Sequence, residues 1–192
     1  MENGTWFLVK DADQIDSPAL LIYPERIRHN IEQMVRLAGD PGRLRPHVKT
    51  HKMAEIIRMQ LEAGIEKFKC ATLAEAELLA RCKAKDVLVA YPLTGTGPGR
   101  LVNLQKNYPG TRFSSLADHP DTLSELETAA LKAETRIGVF LDLNVGMNRT
   151  GISPASAGAA DLYARMTGSP VLDCRGLHVY DGHLRNPDPE QR

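Results

Sequence analysis

Arg45-Pro46-His47-Val48-Lys49-Thr50-His51-Lys52 is a basic, histidine-flanked stretch with apolar Leu44 and Val48 set among its cations. A helical pattern begins directly behind it. Taken as a strand over Leu44–Lys49, alternation puts Arg45, His47 and Lys49 on one face, while Lys52 falls at the helix start and points to solvent. A solvated basic loop fits the same eight residues. The surrounding chain has to decide between them.

Behind this stretch Met53, Ile56, Ile57 and Leu61 recur at three- and four-residue steps as an amphipathic helix closed by Gly64, and Lys67 to Ala71 reads as a strand. Thr72 with Glu75 forms a capping box, predicting a helix over Leu73–Cys82. Asp86–Tyr91 is a strand, followed by the glycine-rich Leu93–Arg100 and a helix carrying Leu101, Leu104 and Tyr108. A glycine-rich strand-to-helix loop can cradle a phosphate. This one matches neither the GxGxxG nor the P-loop spacing. Thr111–Leu116 (strand), Pro120–Lys132 (helix), Arg136–Leu143 (strand), a helix opened by Ser153-Pro154, and Leu172–Tyr180 (strand) complete the series. Ahead of the basic stretch, Ile15–Tyr23 reads as a lead-in strand. Pro24 then starts a helix on Ile27, Ile31, Met34, Val35 and Ala38, stopped by Gly39-Asp40-Pro41-Gly42.

About six strand–helix units with short connections predict an α/β fold with a parallel sheet. Two closures are open to it, a doubly wound sheet or a (β/α)8 barrel. His47 and Lys49, Asp142 and Asn144, and His178 and Tyr180 all fall near C-terminal strand ends. A barrel gathers several such ends around one mouth, whereas an open sheet concentrates ligands at a single switch point. The expectation is a TIM-type barrel, incomplete here, since a full one takes eight strands and about 250 residues.

Composition narrows the function classes. Lysine plus arginine equals aspartate plus glutamate at 24 each in 192 residues, so no net charge draws the chain to nucleic acid or an anionic membrane. Cys70, Cys82 and Cys174 are odd in number and form no CxxC pair, which argues against a disulfide framework and a structural zinc site. No apolar run approaches the ~20 residues needed to span a bilayer. A cytoplasmic protein is expected.

A lysine at a strand end among other cations has a chemical use. Crowding and desolvation favour its neutral amine, the form that condenses with an aldehyde. Lys49 is the candidate. Arg149, between the glycines of Asp142–Gly151, is placed to hold an anionic oxygen. In Gly176–His183, Tyr180 offers a ring to stack on and His183 a rim base, while His178 reads as a core or helix-facing histidine.

At these segments the chain resembles the fold type III pyridoxal phosphate enzymes, and within them the D-threonine aldolase and D-serine dehydratase group. The residues that carry the resemblance are RPHVKTHK (45–52), KCATLAEAE (69–77), DLNVGMNRTG (142–151) and GLHVYDGH (176–183), with SPALLIY (17–23) as the lead-in. The resemblance implies an alanine racemase-type barrel, partial over residues 1–192 and without the C-terminal β domain, whose lead-in (1–24) pairs with that domain. It implies pyridoxal 5'-phosphate as cofactor, Lys49 as the imine-forming and proton-exchanging lysine, and Arg149 on the phenolic oxygen side. Tyr180 packs on the ring and His47 lies beside the imine. The implied activity is retro-aldol cleavage of D-3-hydroxy amino acids to glycine and an aldehyde. D-Serine dehydratase and amino-acid racemase are the alternatives, and a non-catalytic cofactor-binding protein or inactive fragment is the alternative of another class. The phosphate-binding segment and the histidine that holds a divalent metal (Mn or Zn) are expected beyond residue 192, so no metal ligand is assigned here. A D-amino acid substrate and a homodimer complete the expectation.

Overall fold

In the computed structural model residues 5–191 are described; residues 1–4 of the expected lead-in, and residue 192, lie outside them. Helix α1 (Pro24–Ala38) starts on a proline whose missing N–H would have been unsatisfied anyway, and left-handed Gly39 (φ 76°) ends it. The remaining elements alternate as the periodicity predicts: α2 (Ala54–Glu62), β1 (Lys67–Cys70), α3 (Leu73–Arg81), β2 (Asp86–Pro92), α4 (Gly97–Asn107), β3 (Arg112–Ala117), α5 (Pro120–Lys132), β4 (Ile137–Leu143), α6 (Ala157–Gly168) and β5 (Leu172–Val179). The capping box forms with a shift of one residue. Thr72 Oγ1 accepts from the Glu75 amide at 3.2 Å, but the Glu75 carboxylate reaches back to Ala71 N.

All strand pairs are parallel and the order is β1-β2-β3-β4-β5, the order of the sequence. A doubly wound sheet reverses its order at a switch point and a barrel does not. The sheet is therefore an arc of a barrel. Strand alternation separates its two faces. Phe68 and Cys70, Val87 and Val89, Phe113 and Ala117, and Ile137, Val139 and Leu141 join helix residues such as Leu79, Leu101, Leu123 and Met166 in one buried core. The intervening residues Lys69, Leu88, Leu116, Phe140 and Asp142 fall on the other face. A one-residue slip of β4 would turn Ile137, Val139 and Leu141 out of this core, a loss of roughly 5–9 kcal/mol.

Two strand expectations need correction. Leu44–Lys49 forms a single parallel bridge, His47 to Lys69, supported by the Lys69 amide on Pro46 O at 2.9 Å. Pro46 has no N–H for a ladder, and a 3-10 turn over Val48–Thr50 takes the chain away. The segment still occupies the sixth position of the arc, beside β1. Ile15–Tyr23 is irregular and largely exposed, with a short 3-10 turn at Ala12–Gln14 before it. Among the described residues nothing pairs with it as a strand.

Arg45 also departs from expectation. Instead of sharing the mouth with Lys49 it runs toward the N-terminal ends of the strands, donating to buried Asp86 Oδ1 at 2.5 Å and to Phe68 O at 3.2 Å. Arg175 reaches Asp86 Oδ2 at 3.1 Å, closing a buried charge cluster at the N-terminal strand ends.

Candidate active site

Because every strand is parallel, the C-terminal ends share one rim, and the polar strand-end residues converge there. A recess of about 130 Å³ is lined by His47, Lys49, Lys69, Arg149, His178 and Tyr180, among others. A larger cleft of about 740 Å³ lies between α4 and α5 and holds none of these groups. Chemistry places the site in the smaller one.

The 3-10 turn that ends the bridge to β1 presents Lys49 at the surface of this recess. His47 caps the turn, its Nδ1 accepting from the Lys49 amide at 3.2 Å. Burial, with Lys49 and Lys69 nearby, lowers the His47 pKa to about 4. The ring is neutral at physiological pH.

Arg149 comes from a loop that folds around Asn144. The Asn144 Oδ1 accepts the amides of Gly146 and Asn148, each at 3.1 Å. Gly151 closes the loop at φ 98°, where a Cβ would sit 2.5 Å from Asn144 N, so only glycine fits. The loop holds the Arg149 guanidinium 4.9 Å from the centre of the Tyr180 ring. Gly182 lies against that ring, and a Cβ there would lie 2.3 Å from Tyr180 Cζ.

Across the recess runs a hydrogen-bonded chain. Asp142 and His178 are register partners on β4 and β5, with Asp142 Oδ1 2.5 Å from His178 Nδ1. His178 Nε2 lies 2.7 Å from Lys69 Nζ, and Thr150 donates to the second oxygen of Asp142 at 2.8 Å. Burial lowers the Lys69 pKa, and the cations Lys49, Arg149 and Arg45 push the same way against Asp142.

The structure thus gathers Lys49, His47, Arg149 and Tyr180 in one place. His183 stands apart, its Nε2 2.7 Å from where a Cβ on Gly146 would sit, and it is not among the residues that line the recess. Lys52 points outward as expected, though its amine pairs with buried Glu75 at 3.3 Å. In the glycine-rich loop the Gly95 amide is taken by Glu125 at 3.0 Å. Sequence reasoning missed Lys69 and took His178 for a core or helix-facing residue. The available signal was alternation: Lys69 sits between buried Phe68 and Cys70, so it faces the recess. The cysteine thiols are not part of this chemistry; burial pushes Cys70 up to about 12. Among the described residues no group of three histidine, cysteine or acidic side chains is arranged to hold a metal, and no helix is long and apolar enough to cross a membrane.

Comparison with known proteins agrees with this geometry. Residues 22–192 match the family model of the alanine racemase N-terminal domain. The chain is 28% identical over 181 residues to 3-hydroxy-D-aspartate aldolase of Paracoccus denitrificans, covering 93% of this chain and 46% of that protein. It is 25% identical to D-serine dehydratase of Dictyostelium discoideum, covering 90% and 46%. The crystal structure of D-threonine aldolase from Filomicrobium marinum superposes with a TM-score of 0.80 at 29% identity, over 88% of this chain and 45% of that one. The chain therefore spans about half the length of the relatives it matches, and the arc is a partial barrel.

Proposed function

The chain belongs to the alanine racemase N-terminal domain family, and on that premise we propose that it is the cofactor-holding barrel portion of a pyridoxal 5'-phosphate-dependent lyase for D-3-hydroxy amino acids, of the D-threonine aldolase type. The observation that carries this reading is the convergence of Lys49, His47, Arg149 and Tyr180 on one recess at the strand ends. The donor set fits the cofactor: an accessible amine for its aldehyde, a fixed guanidinium for an anionic oxygen and an aromatic face for its ring. When bound, pyridoxal phosphate supplies a conjugated ring that takes up the electron pair freed at Cα.

In this reading Lys49 would hold the cofactor through its aldehyde and would carry the proton at Cα. Arg149 would hold the phenolic oxygen side through its guanidinium donors. Tyr180 would back the ring, with Gly182 and the Arg149 guanidinium close to its own ring. His47, neutral, fixes the Lys49 backbone without placing a competing charge beside it. We place His183 at the rim, where it meets a substrate side chain extending past Gly146. A divalent metal, Mn or Zn, would be held by parts of a longer protein and would polarise the 3-hydroxyl. The D-amino acid substrate, a homodimeric assembly and a cytoplasmic location belong to the same proposal.

The similarity to a D-serine dehydratase supports dehydration as the alternative reaction, with racemisation behind it. A second reading is a protein that binds the cofactor without turnover. One experiment separates them. The chain is incubated with pyridoxal phosphate and D-threonine, 3-hydroxy-D-aspartate or D-serine, with and without Mn²⁺ or Zn²⁺. Glycine plus an aldehyde supports the aldolase and a 2-oxo acid the dehydratase. An imine absorbance band with no product favours the carrier, and no band with excess cofactor sinks the proposal.

A further inference from the structure

We propose that Lys69 is a second working lysine of this site, the base that takes the proton of the substrate's 3-hydroxyl, with His178 and Asp142 as its positioning residues. The inference rests on the aldolase reading above and adds to it a residue and a proton path.

Retro-aldol cleavage moves two protons. The hydroxyl proton leaves, its electron pair becomes the second bond of the departing aldehyde, and the Cα–Cβ bond breaks with its pair staying on Cα. A proton then adds to Cα to give glycine. One proton leaves and one enters, so no water is consumed. Lys49 serves Cα in the proposed function, which leaves the hydroxyl proton without an assigned acceptor among the residues that line the recess. Arg149 lines the recess, but its guanidinium is a donor group with no acceptor. His47 has its Nδ1 occupied by the Lys49 amide and is a weak base by virtue of its lowered pKa. Both ring nitrogens of His178 are engaged, and His183 lies outside the recess lining. Lys69 remains.

Its hydrogen bonds equip it for the task. A carboxylate only accepts, so the proton on His178 Nδ1 points at Asp142, and the neutral ring offers Nε2 as a lone pair. Lys69 Nζ, 2.7 Å away, donates to that lone pair. Were both groups fully protonated, no lone pair would remain between them. The pair therefore carries at most one positive charge, facing the buried Asp142 carboxylate, itself held by Thr150. A neutral Lys69 spends one N–H on His178 and keeps its own lone pair for the recess. The groups around it are balanced for this: burial, Lys49 and Arg45 on the segment before β1, and Arg149 on its loop oppose a second charge, and Asp142 favours one. The Tyr180 ring, 5.5 Å from Nζ, forms the remaining wall.

Two measurements test the proposal. In the unloaded chain, acetic anhydride labelling of Lys69 is followed against pH by peptide mass spectrometry, with exposed Lys132 as internal reference. Lys69 should become reactive at lower pH than Lys132, and in Asp142→Asn, which removes the favouring charge, at lower pH still. Overlaying profiles for the two lysines would overturn the assignment. In the cofactor-loaded chain, Lys69→Met should lower cleavage of D-threonine by about 100-fold or more, the usual size of a lost general base. Exchange of the glycine Cα hydrogen with deuterated solvent needs no hydroxyl base and should fall by less than tenfold. Added methylamine should partly restore cleavage in Lys69→Ala. Equal loss of cleavage and exchange would make Lys69 structural and overturn the proposal, as would wild-type cleavage in Lys69→Met. Absence of any cofactor band or turnover in the wild type would refute the aldolase reading instead, and the labelling profile would still decide whether Lys69 is a base.

Discussion

Asp86→Ala removes the one carboxylate that Arg45, Arg175 and Arg112 share at the N-terminal strand ends. Arg45 donates to it at 2.5 Å and Arg175 at 3.1 Å, while the Asp86 side chain is 3% exposed. A hydrogen bond involving a charged group contributes about 1.5–3 kcal/mol, and breaking one side of a buried pair costs about 3–5 kcal/mol. Each guanidinium keeps a second acceptor, Phe68 O for Arg45 and Asp173 Oδ2 for Arg175, so the expected loss lies at the lower end, about 3 kcal/mol. At roughly 2–4 °C per kcal/mol for a chain of this size, the midpoint of thermal unfolding falls by about 6–12 °C. Arg112 is 66% exposed and 3.6 Å away, so Arg112→Ala should cost no more than ~0.5 kcal/mol. Urea unfolding of the wild type and both variants measures the two losses. A loss below ~1 kcal/mol for Asp86→Ala, or equal losses for the two variants, would refute the view that Arg45 is tied into a buried cluster rather than free to serve the mouth.

Further outcomes follow from the same contacts. A Cβ on Gly138 would meet Ser114 Oγ at 2.1 Å and Phe113 O at 2.9 Å, so Gly138→Ala should destabilise by about 1–3 kcal/mol in chemical unfolding; a neutral result would contradict the tight β3–β4 approach. Gly182→Ala should displace the Tyr180 ring and weaken pyridoxal phosphate binding by about tenfold in an absorbance titration, with little change in stability. His47 titrates at about 4 in the fold against an ordinary 6.5. The unfolded chain therefore binds a proton that the native chain does not between those values, and the associated stability is lost as pH falls through that window. His47→Gln should flatten the pH dependence of unfolding there, as followed by urea midpoints at a series of pH values.

The strand–helix alternation was legible because each element carries its own local signal. Helical spacing marks α2 through α6, and short β-branched and apolar runs mark β2 to β5. Closure was legible too, through polar residues at strand ends. What local pattern could not show is where a chain stops being a strand. Pro46 and the 3-10 turn at Val48–Thr50 end the bridge before Lys49, so the alternation that grouped Arg45 with Lys49 does not survive, and Arg45 finds a carboxylate far along the sequence at Asp86. Ile15–Tyr23 has strand composition and no partner strand among the described residues. The same limit hid Lys69, whose partner His178 is 109 residues away; only the curvature of the sheet brings them together. Lys49, Arg149 and Tyr180 lie in segments that are distinctive in themselves, and the structure brings all three to one recess.

The central claim is that Lys49 is the lysine that anchors the cofactor. Reducing the chain with borohydride in the presence of pyridoxal phosphate and mapping the modified peptide by mass spectrometry tests it directly, since two lysines face the same recess. The account predicts the pyridoxyl group on Lys49, lost in Lys49→Ala and retained in Lys69→Met. Modification on Lys69 in the wild type, or label scattered over surface lysines alone, would contradict it.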